Sequence, residues 1–152
     1  MNRVAISAEE VPLPDVSLRN YALKVLAQLG RDKWDLSILL CGDNTISSLN
    51  SRYRGKAEPT DVLSFAQNDG DAFPHKGRFL SGDIVISLDT LRENARRFKV
   101  NEDEELRRLL IHGILHLDGM DHRSNKKDEP MLQLQEQILT QLSPERILER
   151  SV

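Results

Sequence analysis

Residues 102–122 read EDEELRRLLIHGILHLDGMDH, which is the clearest helix signal in the chain followed by its densest group of histidines. The first four residues are acidic, as the positive end of a helix dipole favours. We expect a helix from about Glu102 to Leu117. Because Ile111 and Leu115 widen its apolar surface, this helix should lie deep in the protein. Its apolar stripe follows i, i+3, i+4, i+7 spacing: Leu106, Leu109, Leu110, Gly113, Ile114 and Leu117.

The histidines at the end of this helix have the spacing of metal ligands. His112 and His116 are four residues apart, so both imidazoles stand on one helix face. His122 joins them only if the chain turns back after Leu117, and Gly119 accepts the left-handed backbone that such a turn needs. Three neutral imidazoles binding at about 2.0–2.1 Å leave a fourth tetrahedral position open, the form of a catalytic zinc site. We therefore predict one Zn²⁺ held by His112, His116 and His122.

The residue after the first histidine limits which reactions the site could catalyse. The order His-x₃-His-x₂-Gly-x₂-His matches the ligand frame of the metzincin proteases. Metalloproteases of this type place a glutamate directly after the first histidine to activate water, and here that position is Gly113. Peptide hydrolysis is therefore disfavoured. Asp118 and Asp121 lie nearby; they either orient the imidazoles or are solvated loop acids.

Composition indicates an ordinary globular chain. Its 152 residues are 39% hydrophobic and 30% charged with a net charge of −3, so we expect one domain over 1–152 and no global attraction to nucleic acid. The chain has a single cysteine, Cys41, which excludes an internal disulfide and fits a reducing compartment. Its apolar neighbours predict that it is buried as a small hydrophobic residue. We see no signal peptide or membrane span and expect a cytoplasmic protein.

The rest of the chain alternates strand and helix signals, which predicts an α+β fold with one mixed sheet of about four strands packed with helices. The stretch 35–41 is apolar on both faces, so we expect it to be central in the sheet. Asp43 is predicted to cap a short helix that turns Ile46, Leu49 and Tyr53 inward. Further strands are expected at 2–7, 61–67 and 82–87, and further helices after Asp15 or Ser17, over 88–100 and over about 128–142.

Two groups of basic residues could contact a polyanion. One group concentrates positive charge before a strand and consists of Arg52, Arg54 and Lys56. The sequence leaves open whether these side chains contact a phosphate or belong to a solvated loop. The second group lies on an amphipathic helix, where a solvated face is the usual explanation: Arg92, Arg96, Arg97 and Lys99. Only 5% of residues are aromatic, which disfavours an extensive base-stacking surface.

Three stretches together resemble the YbeY family of bacterial single-domain endoribonucleases: LNSRYRGKAEPTDVLSF (49–65), SGDIVIS (81–87) and HGILHLDGMDH (112–122). The resemblance runs from the strand near Asp35 to the C-terminal helix. Two positions depart from the family pattern, because Ala57 stands where aspartate is usual and Ala66 where proline commonly follows the phenylalanine. Neither departure touches the histidines.

The resemblance implies a zinc-dependent, single-strand-specific endoribonuclease with zinc on His112, His116 and His122. It also implies roles in maturing the 3′ end of 16S ribosomal RNA and in ribosome quality control, with precursor rRNA and the ribosome or its proteins as partners. The family's functionally important arginine corresponds to Arg54, which we expect to bind the scissile phosphate. The general base stays open between metal-activated water, Asp121 and the 2′-hydroxyl of the RNA.

Two other functions remain open at this point. One is a metal-dependent hydrolase of another substrate, including a protease with an unusual base. The other is a ribosome assembly factor in which zinc is mainly structural. A structural zinc is normally closed by a fourth protein ligand, and His75 or Cys41 could supply one, although neither has motif spacing.

Overall fold

The computed structural model describes residues 1–12, 17–66, 80–122 and 124–142. Within these ranges the chain forms strands and helices in an interleaved order. The strands are β1 (Arg3–Ala8), β2 (Trp34–Cys41), β3 (Val62–Ala66) and β4 (Leu80–Ser87). The helices are α1 (Ser17–Gln28), α2 (Asp43–Arg54), α3 (Leu88–Phe98), α4 (Glu102–Leu117) and α5 (Pro130–Gln141).

The four strands form one mixed sheet in the order β1-β2-β4-β3. The pairs β1–β2 and β2–β4 are parallel, whereas β3 runs antiparallel to β4 along one edge. β2 has a neighbour on each side, which confirms that it is central. The predicted α+β class with a mixed four-stranded sheet is therefore confirmed.

Helix α4 lies against the sheet at unusually close range, and two glycines permit this. A Cβ at Gly113 would lie 3.0 Å from Cδ1 of Ile84, and a Cβ at Gly82 would lie 3.0 Å from both Cδ atoms of Leu117. The predicted apolar stripe of α4 is buried throughout, as are Ile111 and Leu115. The carboxyl end of α4, with its histidines, is consequently held beside the edge strand β3, where Ser64 Oγ donates to the Gly113 carbonyl (3.3 Å).

Two expectations about α2 are wrong. Asp43 does not cap the helix: Gly42 is the N-cap, and Asp43 Oδ1 accepts hydrogen bonds from Ser87 Oγ (2.7 Å) and Thr90 Oγ1 (2.6 Å), which join α2 to the start of α3. Tyr53 does not point inward; its side chain is 60% exposed and its ring leans on Phe65 with centroids 5.1 Å apart.

Some sequence expectations fall outside the described residues, namely the cap at Asp15, the end of the 61–67 strand at Gln67, and His75. The remaining elements appear close to their expected bounds. The last helix begins at Pro130 rather than near 128, because Glu129 forms its N-cap. In the described ranges, no helix is long and apolar enough to cross a membrane.

Candidate metal centre

A tight turn after α4 brings the third histidine back to the other two. Gly119 has a φ of +95°, a conformation that favours glycine. Its N–H donates to the His116 carbonyl (3.0 Å), and the N–H of Met120 donates to the Leu115 carbonyl (3.0 Å). These bonds reverse the chain within a few residues, so the predicted glycine turn is confirmed.

The three imidazoles converge at this turn. Their ring centroids are 4.6 Å apart for His112–His116, 5.3 Å for His112–His122 and 5.7 Å for His116–His122. One nitrogen from each ring can be chosen so that all three lie within 4.8 Å of one another. The rings are half-buried, and together they could hold a metal ion.

Each imidazole has its Nδ1 atom against an oxygen acceptor. The partners are the side-chain Oε1 of Gln135 for His112 (2.6 Å), the Met120 carbonyl for His116 (3.1 Å) and the Ser124 carbonyl for His122 (2.8 Å). A carbonyl or amide oxygen only accepts hydrogen bonds, so each Nδ1 carries the proton and each Nε2 keeps its lone pair.

The Nε2 atoms of His112 and His116 lie where one metal ion could contact both. They lie 3.0 Å apart, and two lone pairs facing each other at this distance repel unless a cation lies between them. Neutral Nε2 donors are what Zn²⁺ and similar ions bind, so the donor set fits such a metal.

Electrostatics keep the two helical histidines in the form that binds metal. Burial lowers the pKa of His112 below its ordinary value, because a half-buried imidazolium loses hydration. Burial, followed by repulsion from the neighbouring ring of His112, lowers the pKa of His116 in the same way. Both rings are therefore neutral at pH 7.

A cleft of about 660 Å³ opens beside the histidines. His112 and His116 form part of its lining, which also includes Arg54, the last residue of α2, and Lys56 just after it. Residues of the edge strand β3 line the same cleft. The structure therefore brings Arg54 and two of the three predicted metal ligands to one cavity, whereas His122 and Arg52 are not among its lining residues.

Gly113 does not point into this cleft. The atoms nearest to a Cβ at this position belong to Ile84 of β4, at 3.0–3.2 Å. A glutamate here would enter the packed interface between α4 and the sheet. The fold therefore excludes the metalloprotease base from the position that the sequence motif assigns to it.

The nearby acids have other partners. Asp118 forms a two-bonded ion pair with Arg31 (2.7 and 3.0 Å), so its carboxylate contacts an arginine and not an imidazole, which was one of the two roles left open for it. Asp121 accepts from the backbone N–H of His122 (2.8 Å) and so orders the loop that carries this histidine.

Sequence reasoning missed Gln135, which touches His112. A signal was present, because this polar residue lies on the inward face of α5, four positions after Met131 and three before Ile138. A glutamine inside a buried stripe needs a polar partner, and the histidine cluster is the polar group within reach.

The other candidates lie apart from the cleft. In the second basic group, Arg92 pairs with Glu102 and Arg96 pairs with Glu93, both at 3.1 Å. Cys41 is buried, as expected, and burial raises the pKa of its thiol to about 12. Among described residues, the group able to hold a metal contains the three histidines and not Cys41.

Comparisons with known proteins show which family the chain is similar to. A family model described as Endoribonuclease YbeY matches residues 4–143. The endoribonuclease YbeY of Treponema denticola is 46% identical over 145 residues, covering 92% of this chain and 93% of the relative. That of Persephonella marina is 42% identical over 142 residues, covering 91% of each. The solution structure of TM1509 from Thermotoga maritima matches with a TM-score of 0.56 and 28% identity, over 91% of this chain and 87% of that one.

Proposed function

The chain belongs to the endoribonuclease YbeY family, and we therefore propose that its cleft cleaves single-stranded RNA with a zinc ion held by His112, His116 and His122. Members of this family are hydrolases that act on RNA, so the protein is an enzyme of that class. The observation that supports the proposed site best is the cavity that Arg54 shares with His112 and His116 of the histidine cluster.

A metal ion bound by the three Nε2 atoms would supply Lewis acidity, which makes a phosphoryl group more open to attack. The protein's own contribution is to hold the three imidazole rings in place. Each Nδ1–H is held by an oxygen, so the imidazoles keep one orientation and one protonation state.

Arg54 lines the same cleft. Its guanidinium binds the scissile phosphate and stabilises the negative charge that builds up on the phosphoryl oxygens in the transition state. Lys56 contributes a second positive charge to the lining of the cleft. Among the described residues, the ion pairs involve neither Arg54 nor Lys56.

The preference for a single strand is supported by an exposed aromatic side chain. Tyr53 precedes Arg54 at the end of α2, and Phe65 of β3 supports its ring. Unpaired bases stack on exposed aromatic rings, whereas bases inside a duplex do not offer their faces. Tyr53 and Phe65 line a separate cavity of about 460 Å³ and not the histidine cleft, so a base that stacks on Tyr53 lies away from the scissile phosphate.

The biological substrate follows from family membership. We propose that the whole chain, 1–152, acts as one domain in the cytoplasm. Its substrate is precursor rRNA, where it matures the 3′ end of 16S rRNA and serves ribosome quality control in association with the ribosome. Gly113 supports RNA over a peptide as substrate, because the protease base cannot be accommodated at that position.

The role of Arg54 is tested with Arg54→Ala. We expect kcat/KM for a single-stranded precursor-rRNA fragment to fall by about 100- to 1,000-fold, with the zinc content of the protein unchanged. The matched control is Arg19→Ala, which removes an exposed arginine from α1, away from the cleft. Turnover of Arg54→Ala equal to that of the control would exclude Arg54 from the chemistry.

A further inference from the structure

Helix α5 contributes one side chain to the histidine cluster. Gln135 is only 6% exposed, and its Oε1 lies 2.6 Å from Nδ1 of His112. His116 and His122, by contrast, are held by backbone carbonyls. His112 is thus the one member of the cluster whose orienting oxygen can be changed by substitution.

The other end of the Gln135 amide fixes which atom faces the histidine. Its Nε2 donates to Oε2 of Glu136 (3.1 Å), and a carboxylate oxygen can only accept there. The amide oxygen is therefore the atom turned towards His112. This orientation makes the Nδ1 atom of His112 the donor.

Glu136 is itself held firmly. Arg108 of α4 donates to both of its oxygens, from Nε (2.9 Å) and from Nη2 (3.0 Å). Burial raises the pKa of Glu136, but the hydrogen bonds from Arg108 and Gln135 outweigh it and keep that pKa below its usual range. A chain of charge-assisted bonds therefore runs from Arg108 through Glu136 and Gln135 to His112.

We propose that Gln135 is a positioning residue that locks the ring of His112 with its proton on Nδ1 and its Nε2 lone pair directed at the metal. This inference rests on the metal centre of the proposed function. Without the Oε1 acceptor, the His112 ring is free to rotate or to move its proton to Nε2, and either change removes the lone pair from the cluster.

Zinc affinity, measured by competition with a chelator, tests this inference. Gln135→Leu removes the acceptor at similar volume, and we expect its dissociation constant for zinc to rise by about 10- to 100-fold. Gln137→Leu is the matched control, because Gln137 is exposed on the same helix and should leave zinc binding unchanged.

Imidazole nitrogen NMR of the zinc-loaded wild type provides a second readout that does not depend on the folding of any variant. We expect His112 to show a protonated Nδ1 and a zinc-bound Nε2. Zinc binding through Nδ1, or wild-type affinity in a folded Gln135→Leu variant, would overturn the role of Gln135 while leaving the proposed function intact. A wild-type protein that binds no zinc would instead overturn both.

Discussion

At the scale of single residues, three oxygen atoms decide which nitrogens of the histidine cluster face one another. Two are backbone carbonyls, of Met120 and Ser124, and the third is the amide oxygen of Gln135. Their contacts hold the Nε2 atoms of His112 and His116 at 3.0 Å with lone pairs opposed. Without a metal these two lone pairs repel each other, and a bound cation removes that repulsion.

This arrangement predicts how the stability of the metal-free protein depends on pH. The pKa values of His112 and His116 are below the ordinary 6.5, so below that pH the unfolded chain takes up protons that the folded state resists. The free energy of unfolding should fall as pH decreases from about 6.5 through the lowered pKa values. Urea unfolding of metal-free protein at about pH 7.5, 6.5 and 5.5 measures this.

The variant His116→Gln provides the control for this pH series. Its amide can still donate to the Met120 carbonyl but cannot titrate, so its stability should fall less steeply over the same range. A wild-type free energy of unfolding that is constant or rises towards acid would contradict the burial of neutral imidazoles.

At the scale of elements, the sequence predicts what depends on local spacing. The helix α4, its buried stripe and the turn at Gly119 could all be anticipated, because periodicity and a left-handed glycine are local properties. Contacts between side chains of distant elements could not be anticipated in this way. For Asp118 the sequence leaves open whether it orients a histidine or is a solvated loop acid, and in the structure it binds Arg31, which lies 87 positions away along the chain. Gln135 of α5, 23 positions from His112, takes that role instead.

The same limit explains why the contacts of Asp43 with Ser87 and Thr90 could not be predicted, and these contacts lead to a prediction. In Asp43→Ala, the buried hydroxyl of Ser87 and the half-buried hydroxyl of Thr90 lose their shared acceptor. We expect the free energy of unfolding to fall by about 1–3 kcal/mol, because a buried polar group is left without its partner. Urea denaturation checks this value.

Asn44→Ala is the matched control for that substitution. Asn44 is exposed on the same turn of α2, so its loss should change the free energy of unfolding by no more than about 0.5 kcal/mol. Equal effects of the two substitutions would show that Asp43 does not link α2 to α3.

At the scale of the whole molecule, the chain has a net charge of −3, and its histidine cleft is lined by Arg54 and Lys56 together with the acids Glu58, Asp61 and Asp121. In the other basic group, Arg92 and Arg96 form ion pairs with Glu102 and Glu93. The proposed binding of RNA would therefore depend on contacts of Arg54 and Lys56 with individual phosphates rather than on a global field.

This charge distribution predicts the salt dependence of RNA binding. Affinity of the metal-free protein for a single-stranded oligonucleotide should fall linearly with salt on logarithmic scales, and Lys56→Ala should reduce the slope by about one. The control Arg19→Ala should keep the wild-type slope, because this arginine lies outside the cleft. An affinity that does not change with salt would argue against phosphate contacts at this cleft.

The most direct measurement compares RNA cleavage by the zinc-loaded wild type, the same protein stripped of metal, and His116→Ala purified identically. The substrate is a single-stranded precursor-rRNA fragment. If the cleft works as proposed, only the zinc-loaded wild type cleaves, and returning zinc restores activity to the stripped protein but not to the variant. Equal cleavage by all three would contradict a metal-dependent ribonuclease centred on His112, His116 and His122.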